Sequence, residues 1–371
     1  MTVRPRSLLL SLSVLAALAV LSIRPATAQE AKKGKDVDVM VEKGLEWLKR
    51  NQQPDGSWVA PGGQYTTAMT ALAGIALLME GSTPKEGKYS DNLAKAVDWF
   101  LKRSQNNGLL GTPASEGSRY TYGHGFGMLF LACVYGEEEE PAQRKKLENL
   151  LKRAVEFSGK AQTKQGGWGY VSSADGGGFD EGSTTITQLQ GLRACRNAGI
   201  VVPKAIIDNA VEYLRKSTTS RGGVIYNLGP GGAAAQAGGE RPAITAAAVA
   251  CGFSAGNYDD KYAKMWIKYC KDTIWQNGSV RGGGFDDYQN YYFGQAVYVL
   301  GDDRYGKMFP DDRKDSWITW TKFKENTFAH FAATQASDGS WNGGYGGAVI
   351  TTAFNLTLLQ LDKNLVPFYH R

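Results

Sequence analysis

The sequence predicts an all-α protein, an (α/α)6 toroid in which six helix pairs form an apolar inner ring and an amphipathic outer ring. Two observations support this fold class. The pattern Gln-x-x-x-Gly-x-Trp occurs three times, at residues 52–58, 162–168 and 335–341. Amphipathic segments also alternate along the chain with segments that are apolar or small on almost every side. A compact fold buries the second kind of segment inside the first.

The repeat length follows from the spacing of the three patterns. Their tryptophans are 110 and 173 residues apart, which fits two and three units of about 55–58 residues. Degraded copies of the pattern lie in between, at residues 96–110, 210–224 and 263–285. The spacing and the copies together predict six units.

Each unit begins with a predicted outer helix. In the first unit, Val37, Val41, Leu45 and Leu48 form one apolar stripe of a helix whose other side is charged. A glycine-rich loop then leads into a predicted inner helix, and these inner segments are 66–79, 123–136, 183–199, 241–256, 288–301 and 348–361. An open solenoid is the alternative architecture. It would leave the small-residue helices half exposed, so the closed ring is favoured.

The N-terminal residues have the pattern of a secretory signal peptide. Arg4 and Arg6 precede a short apolar run, and Ala26-Thr27-Ala28 is a small-residue cleavage site. We therefore expect a signal peptide over residues 1–28, a short flexible N-terminus over 29–35 and a single toroid domain over 36–371. Cleavage near Ala28 predicts export to the periplasm or the cell exterior. The rival interpretation is an uncleaved N-terminal anchor.

Charge and cysteine content narrow the function classes. Removal of residues 1–28 takes away three arginines and no acid, so the formal charge falls from +6 to +3. This mild, dispersed excess predicts no nucleic-acid partner. No segment of the mature chain has the apolar length of a membrane span. The four cysteines, none of them in a C-x-x-C pair, are expected to be buried thiols, although the sequence leaves their pairing open: Cys133, Cys195, Cys251 and Cys270.

The repeated pattern is expected to be structural, because dispersed copies cannot all form one site. The Gln amide would donate to unpaired carbonyls at the end of an outer helix. The Gly would allow a left-handed turn, and the Trp would bury its ring while keeping one N–H donor. The residues concerned are Gln52, Gly56, Trp58, Gln162, Gly166, Trp168, Gln335, Gly339 and Trp341.

Residues 43–58, KGLEWLKRNQQPDGSW, resemble the QW motif of squalene–hopene and related triterpene cyclases, and residues 153–168 match it with Ser158 in an aliphatic position. Together with the six-fold pairing, the chain resembles the superfamily of terpenoid cyclases and protein prenyltransferases, whose members are α/α toroids. The resemblance covers about residues 36–362. It implies a central cavity that binds a polyprenyl or triterpenoid-like hydrophobic molecule.

The catalytic signatures of those enzymes are missing here. The acid motif D-x-D-D of the cyclases is absent, and Asp36-Val37-Asp38-Val39 lacks its last acid. The segment FDDYQNYYFGQAV has Tyr where the zinc-binding Cys of the prenyltransferases would stand, and GGYGGAVITTAF has no His. We therefore expect no metal and no cofactor. The chain is also about half the length of the two-domain cyclases.

Five residues remain as candidates for catalysis. Asp180, Glu181, Asp286 and Asp287 stand where inner helices begin, although acids there are also ordinary caps. His124 stands at the start of the second inner helix and is the histidine best placed for acid–base work. A loop histidine bonded to the backbone is the plainer interpretation.

Aromatic residues cluster at the same inner-helix starts and are expected to line a ligand site: Tyr65, Tyr122, Phe179, Phe285, Tyr288, Tyr291, Tyr292 and Tyr345. Three functions stay open. The first is a binder or enzyme of a hydrophobic prenyl-like molecule. The second is a carbohydrate-active α/α barrel, which would need two facing carboxylates. The third is a non-catalytic envelope scaffold whose protein partners the sequence does not identify.

Overall fold

The computed structural model describes residues 28–229, 239–254, 260–276, 279–280, 286–344 and 346–369. The chain divides into two units, Met1–Asp36 and Val37–Arg371. Phe285, Tyr345 and almost all of the expected signal peptide lie outside the described residues. The first helix begins at Ala28 and includes residues 29–35. Their composition, rich in Gln, Glu, Ala and Lys, favours helix.

Thirteen helices occupy the described residues. They are α1 (Ala28–Arg50), α2 (Thr66–Leu78), α3 (Ser90–Arg103), α4 (Tyr120–Glu137), α5 (Pro141–Ala161), α6 (Gly182–Asn197), α7 (Lys204–Lys216), α8 (Pro242–Ser254), α9 (Lys261–Thr273), α10 (Asp286–Leu300), α11 (Arg304–Met308), α12 (Trp320–Thr334) and α13 (Gly347–Gln360). A short antiparallel ribbon of β1 (Trp275–Gln276) and β2 (Ser279–Val280) precedes α10. Within these residues no helix has the length and apolar character needed to cross a membrane.

The helices α2, α4, α6, α8, α10 and α13 form the inner ring. Each contacts the next in chain order, and α13 returns to contact α2, which closes the ring. The outer layer contains α1, α3, α5, α7, α9 and α12. The predicted all-α toroid is confirmed, and the open solenoid is excluded by the contact between α13 and α2.

Small residues let the inner helices approach closely. Every residue of α2 is buried. A Cβ on Gly191 of α6 would lie 2.4 Å from the carbonyl oxygen of Gly125 of α4, so these two helices touch backbone to backbone. Gln190 of α6 donates across the ring to Gln295 Oε1 of α10, at 3.0 Å, although α8 lies between them in the ring. Side chains therefore meet at mid-height of the barrel.

The glutamines of the repeated pattern connect successive outer helices. Gln52 Nε2 donates to the carbonyl of Gly56 in its own loop, at 2.8 Å, and to that of Asn92 in α3, at 2.9 Å. The prediction placed this amide on the end of its own helix, whereas it reaches the first turn of the next outer helix. Gln162 donates in the same way to the carbonyls of Gly166 and Ile206, and Gln335 donates to those of Gly339 and Met40.

The glycines allow this close approach. Gly56 has φ 94°, and a Cβ there would lie 2.4 Å from the carbonyl oxygen of Lys95 in α3. An L side chain would therefore be both strained and in collision. The same geometry occurs at Gly108, Gly166, Gly222 and Gly339. Their φ angles are 90–98°, and a Cβ on each would lie 2.1–2.4 Å from a carbonyl oxygen of the next outer helix.

The tryptophans close the ends of their own outer helices. Trp58 is fully buried, and its Nε1 donates to the carbonyl of Leu48 at 2.8 Å. Its backbone N–H donates to Thr70 Oγ1 of α2 at 3.0 Å, which joins the loop to the inner helix. The corresponding acceptors are Ser158 and Thr185 for Trp168, and Phe331 and Thr352 for Trp341.

We call the contacts that one such loop makes with its own and the next outer helix a joint. The fourth unit forms its joint with a different tryptophan. Val224 stands in the Trp position, and Trp266 of α9 supplies an indole from the neighbouring helix, with Nε1 donating to Thr218 Oγ1 at 2.9 Å. Other outer helices carry a small residue at the position of Trp266, namely Gly44, Ala96, Ala154 and Ala210. A Cβ on Gly44 would lie 3.1 Å from the ring of Trp341, so that position faces the incoming indole.

Candidate active site at the tyrosine cluster

The N-terminal ends of the inner helices gather aromatic residues at one end of the barrel. Tyr122 lies on α4 and Tyr288 on α10, while Tyr170 and Tyr226 lie in the loops before α6 and α8. All four are partly exposed. We call these four residues, together with Glu181, the tyrosine cluster. Backbone bonds hold the loops against the helix starts, since Gly182 N donates to Tyr226 O and Thr121 N to Tyr170 O.

Glu181 is the carboxylate of the cluster. It is buried and caps α6, accepting from the backbone N–H of Thr184 and, at 2.8 Å, from that of Ser183. Burial raises its pKa, although these hydrogen bonds oppose the shift. Its negative charge adds to desolvation in raising the pKa values of the four tyrosines of the cluster: Tyr122, Tyr170, Tyr226 and Tyr288.

Cations border the cluster. The hydroxyls of Tyr170 and Tyr226 share a hydrogen bond of 2.7 Å. The guanidinium of Arg119 lies 4.7 Å from the Tyr170 ring centre, and that of Arg241 lies 5.8 Å from the Tyr226 ring centre. Phe179 is 47% exposed and packs beside Tyr226 at 6.4 Å. The rim thus offers aromatic faces, hydroxyls and positive charge together.

Below the rim, α10 turns further tyrosines into the barrel. The hydroxyls of Tyr288 and Tyr292 are shielded from solvent and have no hydrogen-bond partner among the described residues. Tyr291 stacks on Phe354 of α13 at 4.0 Å, and its hydroxyl lies 3.0 Å from that of Tyr369. Tyr291 and Tyr292 were expected to line a ligand site, but both are fully buried and fill the barrel interior.

Two of the other predicted acids, Asp180 and Asp287, bond away from the cluster. Asp180 accepts from Thr163 Oγ1 at 3.0 Å, and burial raises its pKa, opposed by hydrogen bonds that include one from Tyr213 of α7. It therefore faces the outer layer. Asp287 accepts from Thr351 Oγ1 of α13 at 2.7 Å and ties two inner helices together. The backbone of Asp286 begins α10, and its side chain is outside the described part of the structure.

His124 is bonded inside the fold through both of its ring nitrogens. Its Nδ1 accepts from the backbone N–H of Leu110 at 3.1 Å, and its Nε2 lies 3.1 Å from the carbonyl of Ala154 and from Ser158 Oγ. Burial lowers its pKa to about 4. Leu110 stands in the Trp position of the second unit. His124 therefore accepts the backbone N–H of that position, which a threonine of the inner helix accepts in the units of Trp58, Trp168 and Trp341.

Sequence reasoning missed Glu116. This carboxylate is fully buried and accepts from Thr67 N of α2 at 2.7 Å, so it caps an inner helix from another loop. Its Oε2 has no partner among the described residues, and burial raises its pKa to about 7. The acid stands alone in PASEGS, so only a search for single acids just before an inner helix would have found it. A Cβ on Gly123 would lie 2.9 Å from Oε2, which shows how tightly α4 covers it.

Tyr65 lies at the rim of the same end, just before α2. It is partly exposed and holds a left-handed backbone conformation, with φ 53° and ψ 36°. Its N–H donates to Ser115 O at 2.8 Å. The loop before α2 is therefore bonded to the loop before α4.

No group of three or more His, Cys, Asp and Glu side chains suited to a metal ion occurs in the ranges that the structure describes. The four cysteines are free thiols: Cys133, Cys195, Cys251 and Cys270. Burial raises the pKa of Cys133 and Cys251 to about 12, so neither is a ready nucleophile.

Comparison with known proteins agrees with this architecture. No family model and no curated protein matches the chain. Among solved structures, D-mannose isomerase is 11% identical with a TM-score of 0.60, covering 88% of this chain and 97% of that one. The type II terpene cyclase MstE from Scytonema is 12% identical with a TM-score of 0.56, covering 90% and 99%. An inactive variant of an alpha-1,6-mannanase from Salegentibacter is 10% identical with a TM-score of 0.56, covering 90% and 99%.

These neighbours include a terpene cyclase and two enzymes named for sugars. At such low identity, the likeness shows the α/α toroid fold alone. The chain spans nearly the whole length of each neighbour. Function must therefore be argued from the residues of the tyrosine cluster.

Proposed function

We propose that the protein binds a carbohydrate at the tyrosine cluster. The observation that carries the proposal is the rim of the cluster, where Tyr170 and Tyr226 share a hydrogen bond and the guanidinium groups of Arg119 and Arg241 lie near their rings. A sugar ring presents an apolar face that packs on aromatic rings and hydroxyls that exchange hydrogen bonds with phenols, carboxylates and guanidinium groups. The rim of the cluster offers aromatic faces, phenol hydroxyls and guanidinium groups within one end of the barrel.

The interior below the cluster also supports a polar ligand. The hydroxyls of Tyr288 and Tyr292 are buried without a described partner. Such a group costs about 1–3 kcal/mol, and a hydroxylated ligand or its bound water would recover that cost. A hydrocarbon chain offers no hydrogen bond. The pair of Gln190 and Gln295 at mid-height further argues against a deep apolar tunnel.

The proposal is for recognition rather than hydrolysis. Hydrolysis of a glycosidic bond needs two carboxyl groups that flank it. Among the described side chains Glu181 alone brings a carboxylate into the cluster, since Asp180 and Asp287 bond elsewhere. D-mannose isomerase and the alpha-1,6-mannanase share the fold, which makes sugars of this kind reasonable first probes.

A prenyl-like hydrophobic ligand is the second candidate. Tyr122 packs edge-on against Phe126 at 5.4 Å, which continues the aromatic surface into the barrel. A structure of MstE contains geranylgeranyl dihydroxybenzoate as its substrate. We also propose that residues 1–28 direct export, so that the ligand would be met outside the cytoplasm.

The test is binding to matched probes of the two classes. The protein would be screened against an array of immobilised mono- and oligosaccharides, and positives would be measured by titration calorimetry beside geranylgeraniol in detergent. We expect sugar binding, with Tyr122→Phe and Tyr288→Phe each weakening it about fivefold, the effect of one hydrogen bond. Tyr298→Phe is the control, because Tyr298 is on the same helix as Tyr288 but its hydroxyl donates to Asn364 Oδ1, after α13, at 3.4 Å.

The outcomes separate the candidates. Binding of geranylgeraniol without any sugar would replace the proposal by the hydrophobic one. Sugar binding that falls equally in Tyr298→Phe would show that the cluster is not the site. A protein that binds neither class would be left with the scaffold function.

A further inference from the structure

A groove lies on the surface next to Tyr65. Its volume is about 420 Å³, and it is open to solvent. The polar residues that line it include Gln53, Asp55, Ser57, Thr66, Arg103 and Ser115. We call it the rim groove. Hydroxyls, a carboxylate and a guanidinium at a shallow open surface suit a polar ligand, and the groove is separate from the tyrosine cluster.

Tyr65 lies next to the groove, and the helix that it precedes packs beside α4 of the cluster. Thr66 of the groove follows it directly, and Ser115 of the groove accepts its N–H at 2.8 Å. A Cβ on Gly117 would lie 3.9 Å from the Tyr65 hydroxyl. The starts of α2 and α4 lie side by side, since a Cβ on Gly123, which follows Tyr122 of the cluster, would lie 3.0 Å from Thr67 Cβ. The partly exposed Tyr65 is thus at the end of the barrel that carries both surfaces.

The backbone at this junction is strained. Tyr65 has φ 53°, and Ser118 in the facing loop has φ 66°. A residue other than glycine costs about 1 kcal/mol or more in this conformation, and such strain collects at ligand-binding sites. A glycine at residue 65 would relieve the strain, so the tyrosine side chain has a role that outweighs its backbone cost.

We infer that the ligand is a linear oligosaccharide that extends from the tyrosine cluster over Tyr65 into the rim groove. This inference rests on the proposed carbohydrate function. A monosaccharide would occupy the cluster alone. A chain of several sugars would also stack on Tyr65 and exchange hydrogen bonds with Thr66, Arg103 and Ser115.

The test compares each sugar with its own oligomer. For the series that binds in the array, the monosaccharide and the linear trisaccharide would be titrated into wild type and two variants. We expect the trisaccharide to bind at least about tenfold tighter in wild type, through contacts at the groove. Tyr65→Asn, whose new side chain tolerates the left-handed backbone, and the exposed-site variant Arg103→Met should reduce that ratio severalfold without changing monosaccharide affinity.

Tyr262→Asn is the matched control, because Tyr262 is a partly exposed tyrosine on the outer helix α9. It should leave the ratio unchanged, and thermal melts would establish that all variants are folded. A trisaccharide that binds no tighter than its monosaccharide, or a ratio insensitive to both variants, would overturn the inference while the cluster remains a sugar site. Absence of binding by every sugar in wild type would instead overturn the proposed function.

Discussion

At the scale of single residues, the buried polar side chains divide by what their atoms contact. Both ring nitrogens of His124 are hydrogen-bonded within the fold, and both carboxylate oxygens of Glu181 accept hydrogen bonds from the first turn of α6. Glu116 and Tyr292 each keep a buried oxygen without a described partner. The first pair holds the structure together. For Glu116 and Tyr292, gaining a proton or a ligand would change the free energy of unfolding.

The stability of the fold should respond to the ionisation of Glu116. Its folded pKa of about 7 lies above the ordinary 4.5, so its contribution is complete below pH 4.5 and is lost as the pH rises through 7. Glu116→Gln mimics the protonated acid. We therefore expect the unfolding free energy of the variant, relative to wild type, to increase between pH 4.5 and 7 in urea titrations.

His124 should act in the opposite direction. Its folded pKa of about 4 lies below the ordinary 6.5, so its contribution is complete above pH 6.5 and is lost as the pH falls towards 4. His124→Asn should remove this loss, and the variant's unfolding free energy relative to wild type should rise as the pH falls. A difference from wild type that does not vary with pH, in either variant, would mean that the group is not coupled to folding.

Neighbouring tyrosines of α10 should respond oppositely to loss of a hydroxyl. Tyr292→Phe removes a buried hydroxyl without a described partner, so we expect the unfolding free energy to increase by about 1 kcal/mol. Tyr291→Phe breaks the bond to Tyr369 and should lower it by about 1 kcal/mol. Urea denaturation measures both. An equal loss in the two variants would reveal a partner for Tyr292.

Sequence patterns predicted the helices better than the contacts between them. The apolar periodicity is local, and it identified both rings. The role of His124 was hidden because the acceptor for the loop N–H lies 14 residues after Leu110, but 11 residues after Trp341 and 21 after Val224. Loops of different length conceal this equivalence. Glu116 was missed because its burial depends on α4 packing over it.

At the scale of elements, the joints of the three complete patterns each combine one amide, one left-handed glycine and one indole. The joint after α7 shows that the indole can come from either side. Val224 replaces the tryptophan of the loop, and Trp266 replaces the small residue of the next helix. At this joint the buried indole is kept, although it comes from a different position in the sequence. This is expected for an interior packed at crystal-like density.

This exchange can be tested by reversing it. Trp266→Ala should lower the unfolding free energy by about 3–5 kcal/mol through the cavity it leaves, and Val224→Trp alone should cost about 1–3 kcal/mol through overpacking. The double variant restores the arrangement of the other units, so we expect it to recover most of the loss. A double-mutant cycle in guanidinium chloride measures the coupling, with Val224→Trp and Trp320→Ala as the distant control pair. Additive effects in both pairs would contradict the exchange.

At the scale of the whole molecule, the last joint closes the ring. Gln335 donates to Met40 O of α1, and Asp338 accepts from the indole of Trp47 and, through its carbonyl, from Arg50. These bonds join residues about 290 positions apart with the geometry used between neighbours elsewhere. The closed ring thus depends on contacts between opposite ends of the chain.

The closing joint should form late in folding. Gln335→Ala and Gln162→Ala remove the same two hydrogen bonds, and each should cost about 1–3 kcal/mol. Bonds that close a long loop form after local ones. We therefore expect Gln335→Ala to act mainly by speeding unfolding and Gln162→Ala mainly by slowing folding, as measured by stopped-flow fluorescence. Identical kinetic profiles would argue against a late closure.

A ring whose last joint resembles its others has no preferred starting point. The order in which the units are synthesised is then a property of the gene more than of the fold, and new ends could be opened between other units. The turn between α6 and α7 suits this, because Val201 there is 80% exposed. A circular permutant opened at that turn should keep the wild-type circular dichroism spectrum and a cooperative melt, and the repeat units would then be interchangeable modules for engineering.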